Sequence, residues 1–383
     1  MDELDFDIIR PYNDTEIEEA IPRIMANSTF HVMMDYLFTL EKKERVLSDL
    51  KKVKNVTEFQ RVFSLPIVLS ILEKTSDGVS YSGFENLSKD EAYIYLANHR
   101  DIVLDSSILG EIHLRVGFKT HQATWGSNLM VSPLIVDLGK SNQMITVFRE
   151  GSPKELLLNS QRLSAYLRRS VTDLNKSVWI AHRKGRSKNG FDKTDVSILK
   201  MLTLSGGKDI KNRLTELNIT PVTISYEWEP CDAMKVREVY LSRDHNYVKA
   251  EDEDFNSIIG GLTSNKGRIH VAMGTPINED ILKIDNSSIN NNEFVSKVAK
   301  LVDIQIYTNY KLWPSNYLAY DLLNDSSEFS KHYNDNTRRI LEDRYIHTAE
   351  IAKHDNRDIR ELFLLLYANP VINMKKYYNN LYS

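Results

Sequence analysis

From Glu91 onward, short runs rich in β-branched and aromatic residues alternate with segments of helical periodicity, and this alternation restricts the fold more than any single motif. Tyr93–Leu96, Met144–Phe148, Val178–Ala181, Thr220–Tyr226 and Arg268–Ala272 read as strands. Between them the clearest helix is Arg162–Leu174. Its Leu163, Tyr166, Leu167, Ser170, Val171 and Leu174 form one stripe, and Arg162, Arg168 and Arg169 lie off it. The rhythm predicts an α/β layer fold with a mixed sheet flanked by helices.

The flanks read differently. In residues 1–85 Ile17, Ile21, Ile24 and Met25 recur at helical spacing, Leu37–Leu50 and Val62–Leu72 repeat the pattern, and Pro22 and Pro66 mark kinks or helix starts. After Pro276 the polar run Asn286–Asn292 is a surface loop, and Glu293–Leu312 resumes a helical pattern. The predicted organisation is an N-terminal helical domain over 1–85, an α/β catalytic domain over 86–283, and a helical C-terminal extension over 284–383. A chain of 383 residues, 42% of them hydrophobic, can bury such a core.

Composition removes several function classes. Cys231 is the only cysteine, which excludes an internal disulfide, a cysteine zinc site and an iron–sulfur cluster, and fits a reducing compartment such as the cytoplasm. The acidic start MDELDFDIIRPYND lacks the basic and apolar regions of a signal peptide. The longest apolar stretches, near Val62–Leu72 and Leu362–Tyr367, fall short of the ~18–20 residues that span a bilayer, so membrane contact is expected to be peripheral. The formal charge is −4, yet residues 161–193 hold nine Lys/Arg against Asp173 and Asp192. That local excess points to an anionic ligand or surface. Nucleic acid fits it poorly, because these residues straddle a strand with little aromatic interleaving.

No P-loop, dinucleotide fingerprint, nucleophile elbow or zincin helix is present. Four other segments carry site-like chemistry. At Asn98-His99-Arg100-Asp101 a β run ends, and Ile102–Leu109 follows with helical spacing, so the polar cluster falls at a strand-to-helix corner facing the sheet's crevice. There His99 can serve as a general base, with Asp105 or Asp101 orienting its imidazole. The plainer alternative makes Asn98 or Asp101 a helix cap and His99 a corner residue. Arg149, after the next strand, can clamp a phosphate or pair with Glu150 on the surface. His182–Lys188 surrounds Gly185 with four cations directly after a core strand, and Ile219–Glu227 is an apolar strand ending in polar residues.

In order and spacing these four segments resemble the motif blocks of the glycerolipid acyltransferase superfamily, which includes the glycerol-3-phosphate and lysophosphatidate acyltransferases. The resemblance covers roughly residues 85–280. Asn98-His99 and Asp105 approximate the family's N-H-x-x-x-x-D, Arg149 matches the second block's arginine, Gly185, Arg186 and Ser187 resemble the third block, and Ile219–Glu227 resembles the fourth. Two departures stand out. His99 and Asp105 are separated by five residues where the family has four, so either the corner is bulged or Asp101 takes the partner's role. The third block's glutamate falls at Lys184 or Arg183.

The resemblance implies an O-acyltransferase in which His99 deprotonates an acceptor hydroxyl that attacks a thioester directly. Acyl-CoA or acyl carrier protein would be the donor and co-substrate, and no metal or other cofactor would take part. Backbone N–H groups at the corner or in the fourth block would meet the oxyanion. Arg149, Gly185, Arg186, Ser187 and Lys193 would hold the anionic groups of a lipid acceptor or of the donor. It also implies a cytoplasmic protein docked peripherally on the inner membrane face, without nucleic acid. A rival within the class acylates an amino-acid-linked or other polar lipid, and a rival outside it binds lipid or acyl carrier without catalysis.

Overall fold

The structure, a computed structural model, describes residues 4–243, 247–248, 250, 253–354 and 356–381. Its centre is a seven-stranded sheet: β1 (Val79–Ser82), β2 (Ile94–Ala97), β3 (Gln122–Gly126), β4 (Met144–Val147), β5 (Val178–Ala181), β6 (Thr220–Tyr226) and β7 (Ile269–Met273), in the order β1-β7-β6-β2-β5-β3-β4. Strands β6, β2, β5, β3 and β4 are mutually parallel, while β7 runs antiparallel to β6 and carries β1 parallel to itself. Five carboxyl ends therefore open on one edge. That edge is where a parallel sheet presents loops and helix N-termini to a ligand.

The core explains why these runs became strands. Every residue of β2 and β6 is buried. Such strands are covered on both faces and read as continuous apolar text. Alternate side chains serve two clusters. Tyr95, Ala97, Trp179, Val222, Ile224 and Tyr226 pack with Ile108 and Ile112 of the helix Leu104–Val116 and with the N-terminal helices. On the other face Ile94, Leu96, Val178 and Ile180 meet Leu163, Leu167 and Val171 of the helix Pro153–Thr172, and Val298, Val302 and Ile306 of the helix Asn291–Asn309. A third cluster joins Trp228 and Val236 to Leu318, Leu341, Phe363 and Tyr367 of the C-terminal helices.

Residues 1–85 are not helical throughout, since Val79–Ser82 forms the sheet's edge strand. The helices Asp14–Met25, Ser28–Leu37, Leu40–Leu50 and Leu65–Thr75 pack into the same hydrophobic cluster as the sheet. Strand β3 was also not anticipated. Its Gln122 is buried yet polar, satisfied by the Tyr166 hydroxyl at 3.2 Å and by Ser170, so its text lacks the apolar signal of its neighbours. Among the described residues no helix is long and apolar enough to cross a membrane.

Candidate active site

The corner after β2 is tied down from both sides. Asn98 is fully buried; its Nδ2 donates to the Ile224 carbonyl at 3.0 Å and its Oδ1 accepts from the Ile224 N–H at 2.8 Å, which knits β2's end to β6. Asp101 Oδ1 accepts from the N–H groups of Val103 (2.9 Å) and Leu104 (2.8 Å), capping the helix Leu104–Val116. Asp105, in that helix's first turn, folds back over the corner. Its Oδ2 accepts from the Arg100 N–H (2.6 Å), the Asp101 N–H (2.9 Å) and His99 Nδ1 (2.9 Å), and its Oδ1 accepts from the Tyr226 hydroxyl at 2.8 Å.

The structure thus pairs His99 with Asp105 and makes Asp101 the cap. The extra residue between His99 and Asp105 lies in the non-helical turn 100–103. An ionised carboxylate only accepts, so Nδ1 carries the proton and the lone pair falls on Nε2. Among the described residues no hydrogen bond reaches Nε2. The imidazole packs edge-on against Trp179 at 5.3 Å, and the side chain keeps 13% of its exposure. A neutral histidine with a free, partly accessible Nε2 and an anchored Nδ1–H is the arrangement a general base needs.

Behind the corner lies a buried ionic network that the sequence did not reveal. Arg100 is fully buried; it donates to Asp192 at 2.5 Å and Glu229 at 3.3 Å, and lies 5.3 Å from the Tyr310 ring centre. Lys235, also fully buried, donates to Glu229 and to the Arg100 carbonyl, both at 2.6 Å. Burial opposes the charge on Arg100, but the carboxylates of Asp192 and Glu229 outweigh it and hold its pKa well above the ordinary value. Two cations thus meet two anions, as desolvated charges require. Asn98 and Arg100, the residues on either side of His99, are both fastened to Asp192.

The loop after β5 closes over the corner: the Ser187 N–H donates to the His99 carbonyl at 2.7 Å. Gly185 adopts φ +74°, a left-handed conformation that suits glycine. Arg186 is only 7% exposed and, among the described residues, makes no hydrogen bond or ion pair; the hydroxyl of fully buried Ser187 likewise has no partner. A buried guanidinium N–H without an acceptor is costly, and an anionic or polar ligand would relieve it. Lys184 and Lys193 are exposed, and Lys193 adjoins Thr194, whose N–H bonds Asp303 on the helix Asn291–Asn309. Arg149 is exposed, makes no ion pair with Glu150, and packs against Gly126 at β3's end. It follows β4, three strands from β2, and its side chain leans back over the end of β3, two strands from β2, along the same edge. His99 and Asp105 therefore meet, with Asp101 at the same corner and the loop that carries Arg186 and Ser187 joined to it through the Ser187 N–H, while Arg149 follows a strand farther along the edge.

Several of the amides expected as oxyanion donors already have acceptors, while no acceptor is seen among the described residues for the N–H groups of His99 and Ile102. The corner amides of Arg100, Asp101, Val103 and Leu104 are spent on Asp105 and Asp101. Those of Glu227, which ends the fourth segment, and of Trp228 and Glu229 just after it donate to the Arg268 carbonyl, the Lys266 carbonyl and the Tyr367 hydroxyl. On the loop that bonds the His99 carbonyl, Arg186 Nη1 and the Ser187 hydroxyl are buried without a hydrogen-bond partner among the described residues.

The cap depends on one glycine. A Cβ at Gly261, on the helix Glu253–Thr263, would lie 2.1 Å from Asp101 Oδ2 and 3.1 Å from its Cγ. Gly261→Ala is expected to displace the cap and lower stability by about 1–3 kcal/mol. Gly207→Ala, where a Cβ meets nothing within 4 Å, should be nearly neutral, and urea denaturation of both checks the contrast.

No family model matches the chain, and no curated protein does. Among solved structures the chain is similar to the 1-acyl-sn-glycerophosphate (LPA) acyltransferase PlsC from Thermotoga maritima, at 14% sequence identity and a TM-score of 0.36, over 75% of this chain and 93% of that one. At that identity the chemistry is read from this chain's own residues.

Proposed function

We propose that the protein is an O-acyltransferase that moves a fatty acyl chain from acyl-CoA or acyl carrier protein to a hydroxyl of an anionic lipid-type acceptor. The observation that carries this reading is the His99–Asp105 pair at 2.9 Å, with Nε2 free, joined through the Ser187 N–H to the loop that bears buried Arg186. His99 Nε2 takes the proton of the acceptor hydroxyl, and the oxygen attacks the thioester carbonyl. Collapse of the tetrahedral intermediate expels the thiolate, which recovers the proton from the imidazolium. Asp105 stabilises that imidazolium, and no covalent acyl-enzyme forms. Arg186 and Ser187 face the anionic group or the developing oxyanion. Arg149, Lys184 and Lys193 offer cationic charge for the donor's phosphates or an acidic carrier. The reaction draws on no metal or redox group. With lipidic substrates the protein would work at a membrane surface, and the reading includes a cytoplasmic location with peripheral docking on the inner membrane face.

The test is thiol release from long-chain acyl-CoA and acyl carrier protein across glycerol 3-phosphate, lysophosphatidate and amino-acid-linked lipid acceptors. Acceptor-dependent release supports the reading, and the preferred acceptor shows what Lys184 selects. Binding of acyl donors without release under any acceptor would instead support a non-catalytic carrier-binding protein. Arg186→Ala is expected to raise KM for the anionic substrate about ten- to hundredfold, the worth of one charged hydrogen bond. Saturation kinetics on each substrate in turn identify which one it holds.

A further inference from the structure

We infer that Tyr226 is a positioning residue of the proposed acyl transfer, its hydroxyl locking Asp105 in the orientation that presents His99 as a base. The inference rests on the acyltransferase reading above. The register of the sheet delivers the phenol to the corner. β6 pairs with β2 only as far as Val222 opposite Ala97, yet it continues four residues to Tyr226 because β7 supports it there, with Tyr226 opposite Ile269. Tyr226 thus overshoots the end of β2 by about 13 Å at ~3.3 Å per residue, and its side chain reaches the helix Leu104–Val116.

The two oxygens of Asp105 have unequal support. Oδ2 receives three N–H donors, including His99 Nδ1, whereas among the described residues Tyr226 alone serves Oδ1. A carboxylate turns easily about its last torsion, which is broad and twofold. The phenol on Oδ1 fixes that torsion and draws charge away from the oxygen facing the imidazole. Tyr226 is 1% exposed; burial, and then the Asp105 charge, push its pKa well above the ordinary tyrosine value, so it remains a donor. The other ionisable groups around the pair are Arg100 and Asp101 at the corner, His182 and Asp192 after β5, Glu229 after β6, and Tyr310 after the helix Asn291–Asn309. Tyr226 is the one among them whose hydrogen bond ends on Asp105 Oδ1.

Tyr226→Phe keeps the ring and removes the donor. The expected result is a kcat about tenfold lower with both KM values unchanged within twofold. The acid limb of kcat/KM should also move up by a few tenths of a pH unit, because an Asp105 with one donor fewer holds the imidazolium more tightly. Site-specific 3-fluorotyrosine at 226, a stronger donor of nearly the same shape, should move that limb in the opposite direction, and it serves if the phenylalanine variant folds poorly. A merely structural role for the ring would produce neither opposed shift. Wild-type transfer accompanied by an unchanged kcat and acid limb in both variants overturns the inference alone. Absence of transfer by the wild-type protein, with every donor and acceptor, overturns the acyltransferase reading and the inference with it.

Discussion

Replacing His99 with alanine is expected to lower kcat/KM for acyl transfer by about 10²–10⁴-fold, the usual contribution of a positioned general base. The fold should survive. The His99 side chain contributes one hydrogen bond, and without it Asp105 still receives the Arg100 and Asp101 N–H groups and the Tyr226 hydroxyl, so no buried charge is orphaned. Acyl-donor binding should be nearly unchanged, which separates loss of chemistry from loss of structure. Asp105→Asn behaves differently. It keeps the imidazole but removes its counter-charge: the amide oxygen can retain the three N–H donors and the amide nitrogen can donate to the Tyr226 oxygen, so the rate should fall more than the stability. Measuring thiol release and the urea midpoint on both variants tests the assignment. Retention of most activity by His99→Ala would remove the general-base mechanism, since among the described residues no second imidazole stands ready: His182, which the structure brings near, is fully buried on the loop after β5.

The parts of this site visible in the sequence are those whose signal is local. Asn98-His99-Arg100-Asp101 shows as a polar cluster ending an apolar run, because β2 is buried along its whole length. What spacing could not decide was which aspartate meets His99. Both lie within reach, and the outcome depends on where the helix begins: a start at Leu104 turns Asp101 into its cap and puts Asp105 in the first turn, aimed back at the imidazole. The basic run 183–188 reads as a surface loop, yet exposed Lys184 and buried Arg186 sit two residues apart, and only the path of the loop sorts them. Strand β1 was illegible for another reason. Three of its four residues are exposed at the sheet's edge, so it carries no apolar alternation. The ionic network joins Arg100 to partners about 90 and 130 residues away, Asp192 and Glu229, and no local pattern announces such pairs.

Acidification between about pH 6.5 and pH 4 is expected to destabilise the fold strongly. Burial lowers the pKa of His121 and of His182 to about 4, and that of His113 well below the ordinary value, with the His121 ring adding to the effect. In the unfolded chain these imidazoles titrate near 6.5. Below that pH the unfolded state therefore binds protons that the folded state refuses, and stability falls as pH falls, until the folded-state pKa is reached. For His121 and His182 the loss is about 3 kcal/mol each at 1.36 kcal/mol per pH unit. Asp303 acts in the opposite sense. Burial raises its carboxyl to about 6, so acid relieves a cost there and returns about 3 kcal/mol over the same range. The histidines outnumber it, and the net loss should be about 3 kcal/mol or more, a large share of the ~5–15 kcal/mol that stabilises a typical protein. The ring nitrogens of His113 and His121 lie 3.3 Å apart, so a second proton there meets the first at close range and the pair cannot absorb acid quietly. Urea denaturation at half-unit steps of pH should show the midpoint falling steadily below pH 6.5. In His182→Asn that slope should be shallower, because one proton-refusing site has been removed, and a wild-type midpoint that is flat or rises toward pH 4 would contradict the assignment of these imidazoles as buried and neutral.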